Sequence, residues 1–179
     1  MNLPNKLTML RVILIPFFVF FMLTDLVPYS GLIALAIFIA ASITDFLDGK
    51  IARKYNLITN FGKFMDPLAD KLLVCSAMIC LIPLGLLPAW IVIIIIAREF
   101  VISGFRLIAS DNGIVIAASW WGKWKTVTQM FMVIVLILEI YFPVLRIPGL
   151  VLMYAALVLT IVSLIDYLYK NRSVLKEQK

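Results

Sequence analysis

Six apolar runs, each close to the length of a membrane-spanning helix, follow one another along this chain of 179 residues. Hydrophobic side chains make up 64% of the sequence and charged ones 15%, whereas soluble domains carry about 25% charged residues. Crossing the hydrocarbon core takes about 20 apolar residues in a helix. The sequence therefore predicts an all-α integral membrane protein with six transmembrane helices, over residues 8–25, 31–54, 61–83, 88–109, 123–142 and 148–169.

Cationic side chains are distributed unequally between the two predicted sides of the membrane. The connections 24–29, 83–88 and 141–148 contain one cation, Arg146, and most other lysines and arginines belong to the termini and the remaining connections. The positive-inside rule then places both termini in the cytoplasm. The net charge of +6 favours anionic head groups and phosphorylated substrates, and no basic stretch interleaved with aromatic residues indicates nucleic-acid binding.

The N-terminus is predicted to stay on the protein. Lys6 and Arg11 precede an apolar run, as in a signal peptide, but a small-residue cleavage site is missing. Residues 1–6 are expected to form a short interfacial segment. Without an internal repeat or linker, residues 1–179 are predicted to form a single membrane domain.

Four aspartates interrupt this apolar background: Asp45, Asp48, Asp66 and Asp70. An ionised carboxylate near hydrocarbon costs at least ~2.5 kcal/mol, so such a cluster needs cations or a polar cavity to compensate it. The chain has no histidine, and its two cysteines lie within an apolar run. Oxygen ligands favour hard divalent cations such as Mg²⁺ or Mn²⁺.

Spacing along the predicted helices brings these aspartates together. Asp45 and Asp48 share a face of the second helix, and Asp66 and Asp70 share a face of the third. The short connection 55–60 makes the two helices antiparallel neighbours, so their cytoplasmic ends predict a polar cavity that could hold two metal ions. Small residues beside the aspartates would let a ligand approach, and one arginine at the rim could neutralise a phosphate or brace the carboxylates; these are Gly49, Ala52, Gly62 and Arg53.

Two other readings of the aspartates remain open at this point. They could belong to a solvated loop in which nearby lysines and arginines form salt bridges. They could also line the path of an ion-conducting or proton-coupled transporter, in which buried carboxylates are expected too.

Eight identities at fixed spacing resemble a known family. Residues 45–70 match the pattern D-x2-D-G-x2-A-R-x8-G-x3-D-x3-D of the CDP-alcohol phosphotransferases without exception. The segments 2–11, 97–106 and 122–126 further resemble bacterial members that use glycerol 3-phosphate as the acceptor. The likeness covers essentially the whole chain.

This resemblance implies transfer of the phosphatidyl group from CDP-diacylglycerol to glycerol 3-phosphate, with release of CMP. Asp70 would be the general base, and the four aspartates would hold two divalent cations, with a metal-ligand role for Asp70 left open. The residues expected to bind the CDP moiety are Asn5, Thr8, Gly49, Ala52, Arg53 and Gly62. The resemblance also implies a homodimer in the bacterial inner membrane, with its active site facing the cytoplasm. The rival acceptors within the family are inositol phosphate, serine and phosphatidylglycerol.

The phosphate of the acceptor calls for a cationic pocket near the aspartates. Arg106 and Lys125 rank first because neither has an adjacent carboxylate in sequence, and the other candidates are Lys123, Arg11, Lys63 and Arg98. Each could instead be a topology determinant or a lipid contact. Arg98 and Glu99 fall inside the fourth predicted span. There, pairing with each other or with another helix is as expected as contact with a ligand.

Overall fold

The structure, a computed structural model, describes residues 2–24, 26–54, 60–111 and 119–171. Within these ranges it leaves undescribed the side chains at 3, 46, 48–50, 52–54, 60, 61, 63, 64, 110 and 111. The described residues form α-helices and one short 3₁₀ helix, with no strand among them. The α-helices are α1 (Leu3–Leu23), α2 (Ser30–Lys54), α3 (Asn60–Leu81), α4 (Ala89–Asp111), α5 (Trp120–Glu139) and α6 (Arg146–Lys170), and Pro143–Leu145 form the 3₁₀ helix.

Each α-helix lies over one of the predicted apolar runs. The helix α1 begins earlier than the predicted span, because Leu3 already belongs to it and residues 3–6 form its first turn. The interfacial position of residues 1–6 stays a prediction. The side chain of Asn2 caps the helix, its Oδ1 accepting from the backbone N–H of Asn5 at 3.2 Å. Pro4 is tolerated in this turn because the first N–H groups of a helix have no partner within it.

Two helical segments of the described chain, Pro4–Leu23 and Pro143–Lys170, are long and apolar enough to cross a membrane by length and composition. Large apolar side chains also remain exposed along the helices, including Phe17, Phe100 and Val151. Exposed apolar side chains of this kind suit contact with lipid. These features are consistent with a membrane protein, and the count of six spans stays a prediction.

The first of two compact units comprises Met1–Leu86 with Ile140–Phe142. Here α1 packs against both α2 and α3. Phe18 of α1 and Phe38 of α2 are buried, with ring centroids 5.9 Å apart. Ala34 and Ala41, both fully buried on α2, have small side chains that allow close approach of helices.

The second compact unit comprises Leu87–Glu139 and Pro143–Lys179. Its main contact joins α5 and α6, and α4 also packs on α6. Between α5 and α6, Gln129 Nε2 donates to Thr160 Oγ1 at 3.4 Å, and both side chains are buried. Gly149 on α6 lies so close to α5 that a Cβ there would come within 3.0 Å of Leu136 Cδ2. A polar link and a small residue thus bring these helices together.

Candidate active site

One face of α1 carries two polar side chains that are entirely buried in the first unit. Thr8 and Arg11 are three residues apart in sequence, so they project from the same side of the helix. Both have 0% of their surface exposed. A buried arginine in an apolar bundle requires an anion nearby. The two helices packed against α1 supply one.

Asp45 of α2 is the anion beside Arg11. Arg11 Nη1 lies 2.8 Å from Asp45 Oδ1. The guanidinium is buried, whereas the Asp45 side chain keeps 39% of its surface exposed. The ion pair therefore holds the Asp45 carboxylate beside α1 while the group as a whole stays accessible to a ligand.

Asp66 of α3 meets the other polar residue of this face. Thr8 Oγ1 lies 2.5 Å from Asp66 Oδ1 and 3.1 Å from the carbonyl oxygen of Pro4. A hydroxyl has one proton to donate, and the closer carboxylate is the stronger acceptor. The charge of Asp66 also acts electrostatically on Asp45. The first helix thus holds carboxylates from α2 and α3 near each other.

Asp70 lies on α3 one turn beyond Asp66 and is half-buried. Two of the residues predicted to bind CDP, Asn5 and Gly62, are buried in the same unit. The remaining side chains predicted for the metal, CDP and phosphate sites in this region lie outside the described residues: Asp48, Gly49, Ala52, Arg53 and Lys63.

The carboxylate chemistry of this region fits a divalent cation. Asp45 and Asp66 offer anionic oxygens, the ligands that Mg²⁺ and Mn²⁺ prefer. Among the side chains that the structure describes, no three from histidine, cysteine, aspartate and glutamate cluster as a metal site. The side chain of Asp48, which the sequence pattern assigns to the same group, lies outside the described residues.

A second buried charged cluster lies in the other unit. Arg98 Nη1 lies 3.0 Å from Glu99 Oε1, and Lys125 Nζ pairs with the same oxygen from α5. Arg98 is 8% exposed and Lys125 3% exposed. The sequence left pairing of Arg98 with Glu99 open as one alternative to ligand contact, and the structure shows this pairing. Two cations thus share one carboxylate oxygen.

Lys125, ranked first among the acceptor-phosphate residues because no acid adjoins it in sequence, belongs to this cluster. Its sequence neighbours include no acid, but folding places Glu99 of α4 against it. Arg106, ranked with it, is exposed and has its guanidinium carbon 5.8 Å from the ring centroid of Tyr167. Lys123 is exposed near the start of α5.

A model of the CDP-alcohol phosphatidyltransferase family matches residues 1–162. The chain belongs to this family. The resemblance carried by residues 45–70 is thereby confirmed. The family generally depends on a divalent metal, in agreement with the carboxylates that α1 holds near each other.

Curated relatives of this phosphatidyltransferase family match nearly the full chain. A CDP-diacylglycerol–glycerol-3-phosphate 3-phosphatidyltransferase of Bacillus subtilis is 45% identical, with 98% of this chain and 97% of the relative covered. The protein of the same name from Haemophilus influenzae is 42% identical, with 93% and 91% covered. A probable phosphatidylglycerophosphate synthase of Mycobacterium tuberculosis is 41% identical, with 93% and 79% covered.

Three contacts of this family member were missed by reasoning from its sequence. Thr8 was expected at the nucleotide and Arg11 at a phosphate, yet they contact Asp66 and Asp45. Glu99 was not expected to bind Lys125. A usable signal was present, because a cation inside an apolar run requires an anion from another helix. The spacing of residues in the sequence did not indicate which acidic side chain that anion would be.

Proposed function

We propose that this chain is a CDP-diacylglycerol–glycerol-3-phosphate 3-phosphatidyltransferase, an enzyme of phospholipid biosynthesis. The observation that carries the proposal is the match over nearly the full chain to relatives whose names specify this reaction. Residues 45–70, which hold every position of the family pattern, supply the carboxylates that the chemistry needs. No feature of the described residues favours a transporter instead.

The reaction is a displacement at phosphorus. The primary hydroxyl oxygen of glycerol 3-phosphate attacks the phosphorus that carries the diacylglycerol, and a new P–O bond forms. The bond from that phosphorus to the bridging oxygen of the diphosphate breaks, and CMP leaves with the electron pair. The products are phosphatidylglycerophosphate, CMP and the proton lost by the hydroxyl.

Asp70 is proposed to take that proton as the acceptor attacks. A carboxylate suits this role because the hydroxyl becomes acidic only as the new bond forms. Asp45, Asp48, Asp66 and Asp70 are proposed to hold two divalent cations, Mg²⁺ or Mn²⁺. Such ions, when bound, neutralise the diphosphate and stabilise the leaving CMP. Thr8 and Arg11 support this assignment because they hold two of these carboxylates in place.

The CDP moiety is proposed to lie against small and polar residues of the first unit. Gly49, Ala52 and Gly62 leave space beside the aspartates, and Asn5 and Arg53 supply polar groups. Thr8, first assigned to the nucleotide, fits better as a support of Asp66, since its hydroxyl already lies against that carboxylate.

The acceptor's own phosphate is proposed to bind among the lysines and arginines that the sequence analysis selected for it. Arg98 and Lys125 are buried cations that lie together at Glu99. Arg106 and Lys123 are exposed and available for the same purpose. Arg11 contacts Asp45, which argues against a phosphate role for it. Lys63 remains a candidate from the sequence.

The proposal extends to the oligomeric state of the protein and its orientation in the membrane. We propose one membrane domain with six transmembrane helices, working as a homodimer in the bacterial inner membrane, with its aspartates at the cytoplasmic face. The excess of cations in the termini and cytoplasmic connections supports this orientation.

The decisive experiment is an acceptor panel. Purified protein in detergent micelles with CDP-diacylglycerol and Mg²⁺ is given glycerol 3-phosphate, serine, inositol phosphate or phosphatidylglycerol, and CMP release is measured. Release with glycerol 3-phosphate alone is expected. Turnover with serine but not with glycerol 3-phosphate would overturn the proposal that glycerol 3-phosphate is the acceptor. Ion flux in proteoliposomes without any CMP release would overturn the proposal that the protein is an enzyme.

A further inference from the structure

Thr8 and Arg11 share an arrangement that the transfer reaction alone does not explain. Each contacts one oxygen of a carboxylate, and each reaches a different helix. Arg11 contacts Oδ1 of Asp45 at 2.8 Å, and Thr8 contacts Oδ1 of Asp66 at 2.5 Å. In both cases a side chain of α1 contacts the Oδ1 atom of a carboxylate that is a proposed metal ligand.

We propose that Thr8 and Arg11 are positioning residues that make the aspartate site selective for small divalent cations over Ca²⁺. The inference rests on the proposed function, in which Asp45 and Asp66 are metal ligands. It concerns the choice among cations, which the family pattern of aspartates does not by itself determine.

The physical basis is the way in which a carboxylate can bind a metal. Ca²⁺ accepts carboxylates through both oxygens and tolerates many ligands in flexible geometry. Mg²⁺ is smaller and demands near-octahedral geometry, which suits carboxylates that bind through one oxygen. A side chain that holds Oδ1 reduces the ability of that carboxylate to bind through both oxygens. Holding Oδ1 of Asp45 and of Asp66 therefore disfavours Ca²⁺ more than Mg²⁺ or Mn²⁺.

The surroundings of Thr8 and Arg11 make these contacts rigid. Both side chains are fully buried on the face of α1 that packs against α2 and α3. Threonine is branched at Cβ and has few rotamers available in a helix. Neither group can withdraw readily to let a larger ion bind through both oxygens.

The test measures metal binding directly, without relying on turnover. Protein purified in a non-ionic detergent is titrated with Mn²⁺, and free Mn²⁺ is followed by electron paramagnetic resonance. Competition with Ca²⁺ then gives the ratio of the two dissociation constants. Removing a positive charge changes the affinity for both divalent ions similarly, so this ratio isolates the effect of geometry.

Arg11→Met is expected to shift the ratio toward Ca²⁺ by about tenfold, the lower end of what outer-shell changes do to metal affinity. Arg146→Met is the matched control, since Arg146 is exposed at the start of α6 and contributes to none of the proposed sites. It should leave the ratio unchanged.

A second pair of variants keeps the test decisive should Arg11→Met fail to fold. Thr8→Val keeps the shape of the side chain and removes the hydroxyl, whereas Thr8→Ser keeps the hydroxyl and removes a methyl group. Thr8→Val should shift the ratio toward Ca²⁺, and Thr8→Ser should retain the wild-type ratio.

Three results would overturn the inference. An unchanged ratio in folded Arg11→Met and Thr8→Val protein would show that the contacts do not select the ion. An equal shift in Thr8→Ser would assign the effect to packing. Wild-type protein that binds no Mn²⁺ would instead overturn the proposed metal site itself, and the selectivity with it.

Discussion

Single side chains in this protein act by neutralising or orienting one another inside an apolar bundle. Glu99 illustrates the first effect, since its Oε1 pairs with both Arg98 and Lys125. Thr8 illustrates the second, because its hydroxyl lies against the Asp66 carboxylate. Where water is scarce, each such contact carries more weight than it would on a soluble surface. Substitutions of single residues are therefore informative.

Replacing Asp70 with asparagine should abolish turnover while leaving the fold and donor binding largely intact. Asparagine keeps the size of the side chain but cannot accept a proton from the attacking hydroxyl. CMP release measures the loss, and thermal unfolding checks the fold. Asp166→Asn is the control, since Asp166 pairs with Lys170 on α6 and should tolerate the change. Near-normal turnover in Asp70→Asn would exclude its role as the base.

Glu99→Gln should lower the free energy of unfolding by about 3 kcal/mol, because removing one member of a buried ion pair strands the partner charge. Two cations, Arg98 and Lys125, would then face each other without that anion. Lys125→Met is the comparison. It leaves the Arg98–Glu99 pair in place, so it should affect stability less and acceptor KM more. Chemical unfolding and acceptor kinetics measure the two effects, and equal stability of both variants would contradict the account.

The sequence predicted the site at residue scale only in part. The pattern of residues 45–70 correctly indicated the family, because fixed spacing is visible in sequence. The partners of Arg11 and Lys125 were not predicted, because they come from other helices and depend on how each helix is rotated about its axis. An apolar run that is hydrophobic on every side does not reveal that rotation.

At the scale of elements, helix packing depends on small residues and a few polar contacts. Helix extents were well predicted, since runs of about 20 apolar residues are conspicuous. The start of α1 was less well predicted, because Pro4 and the Asn2 cap extend that helix to Leu3, before the predicted span at residue 8. Between α5 and α6, the hydrogen bond from Gln129 to Thr160 accompanies the close approach at Gly149.

Gly149→Val should loosen the α5–α6 contact and lower the free energy of unfolding by about 1–3 kcal/mol, the usual range for overpacking. A Cβ at this position would lie 2.9 Å from Glu139 Oε2 and 3.0 Å from Leu136 Cδ2. Gly104→Val is the matched control, because a Cβ there meets nothing within 4 Å among the described residues. Unfolding in detergent compares the two, and similar stabilities would refute the packing argument.

For the whole molecule, composition predicted a membrane protein. The two units formed by the described residues are helical and have abundant exposed apolar surface, which is consistent with that prediction. Catalysis by the whole enzyme should depend on divalent ions. Exhaustive chelation is expected to stop CMP release, and added Mg²⁺ or Mn²⁺ should restore it. Undiminished turnover after chelation would contradict the proposed use of the aspartates. A chelated Asp166→Asn variant should respond like the wild type.

Membrane orientation gives a further test. In a variant without its native cysteines, Val27→Cys should react with a membrane-impermeant thiol reagent added outside intact cells. Lys123→Cys should react only after the cells are opened, because the positive-inside rule places it in the cytoplasm. Both positions are exposed in the structure. The reverse labelling pattern would invert the topology.

The ion pair between Arg11 and Asp45 also bears on how the protein reaches its membrane. The ribosome completes α1 before α2, so the guanidinium arrives at the insertion machinery ahead of this carboxylate. Until then the long side chain can extend toward the lipid head groups. The short connection between Leu23 and Ser30 lets α2 follow promptly. Release of the two helices into lipid as a hairpin would spare the nascent chain an uncompensated charge.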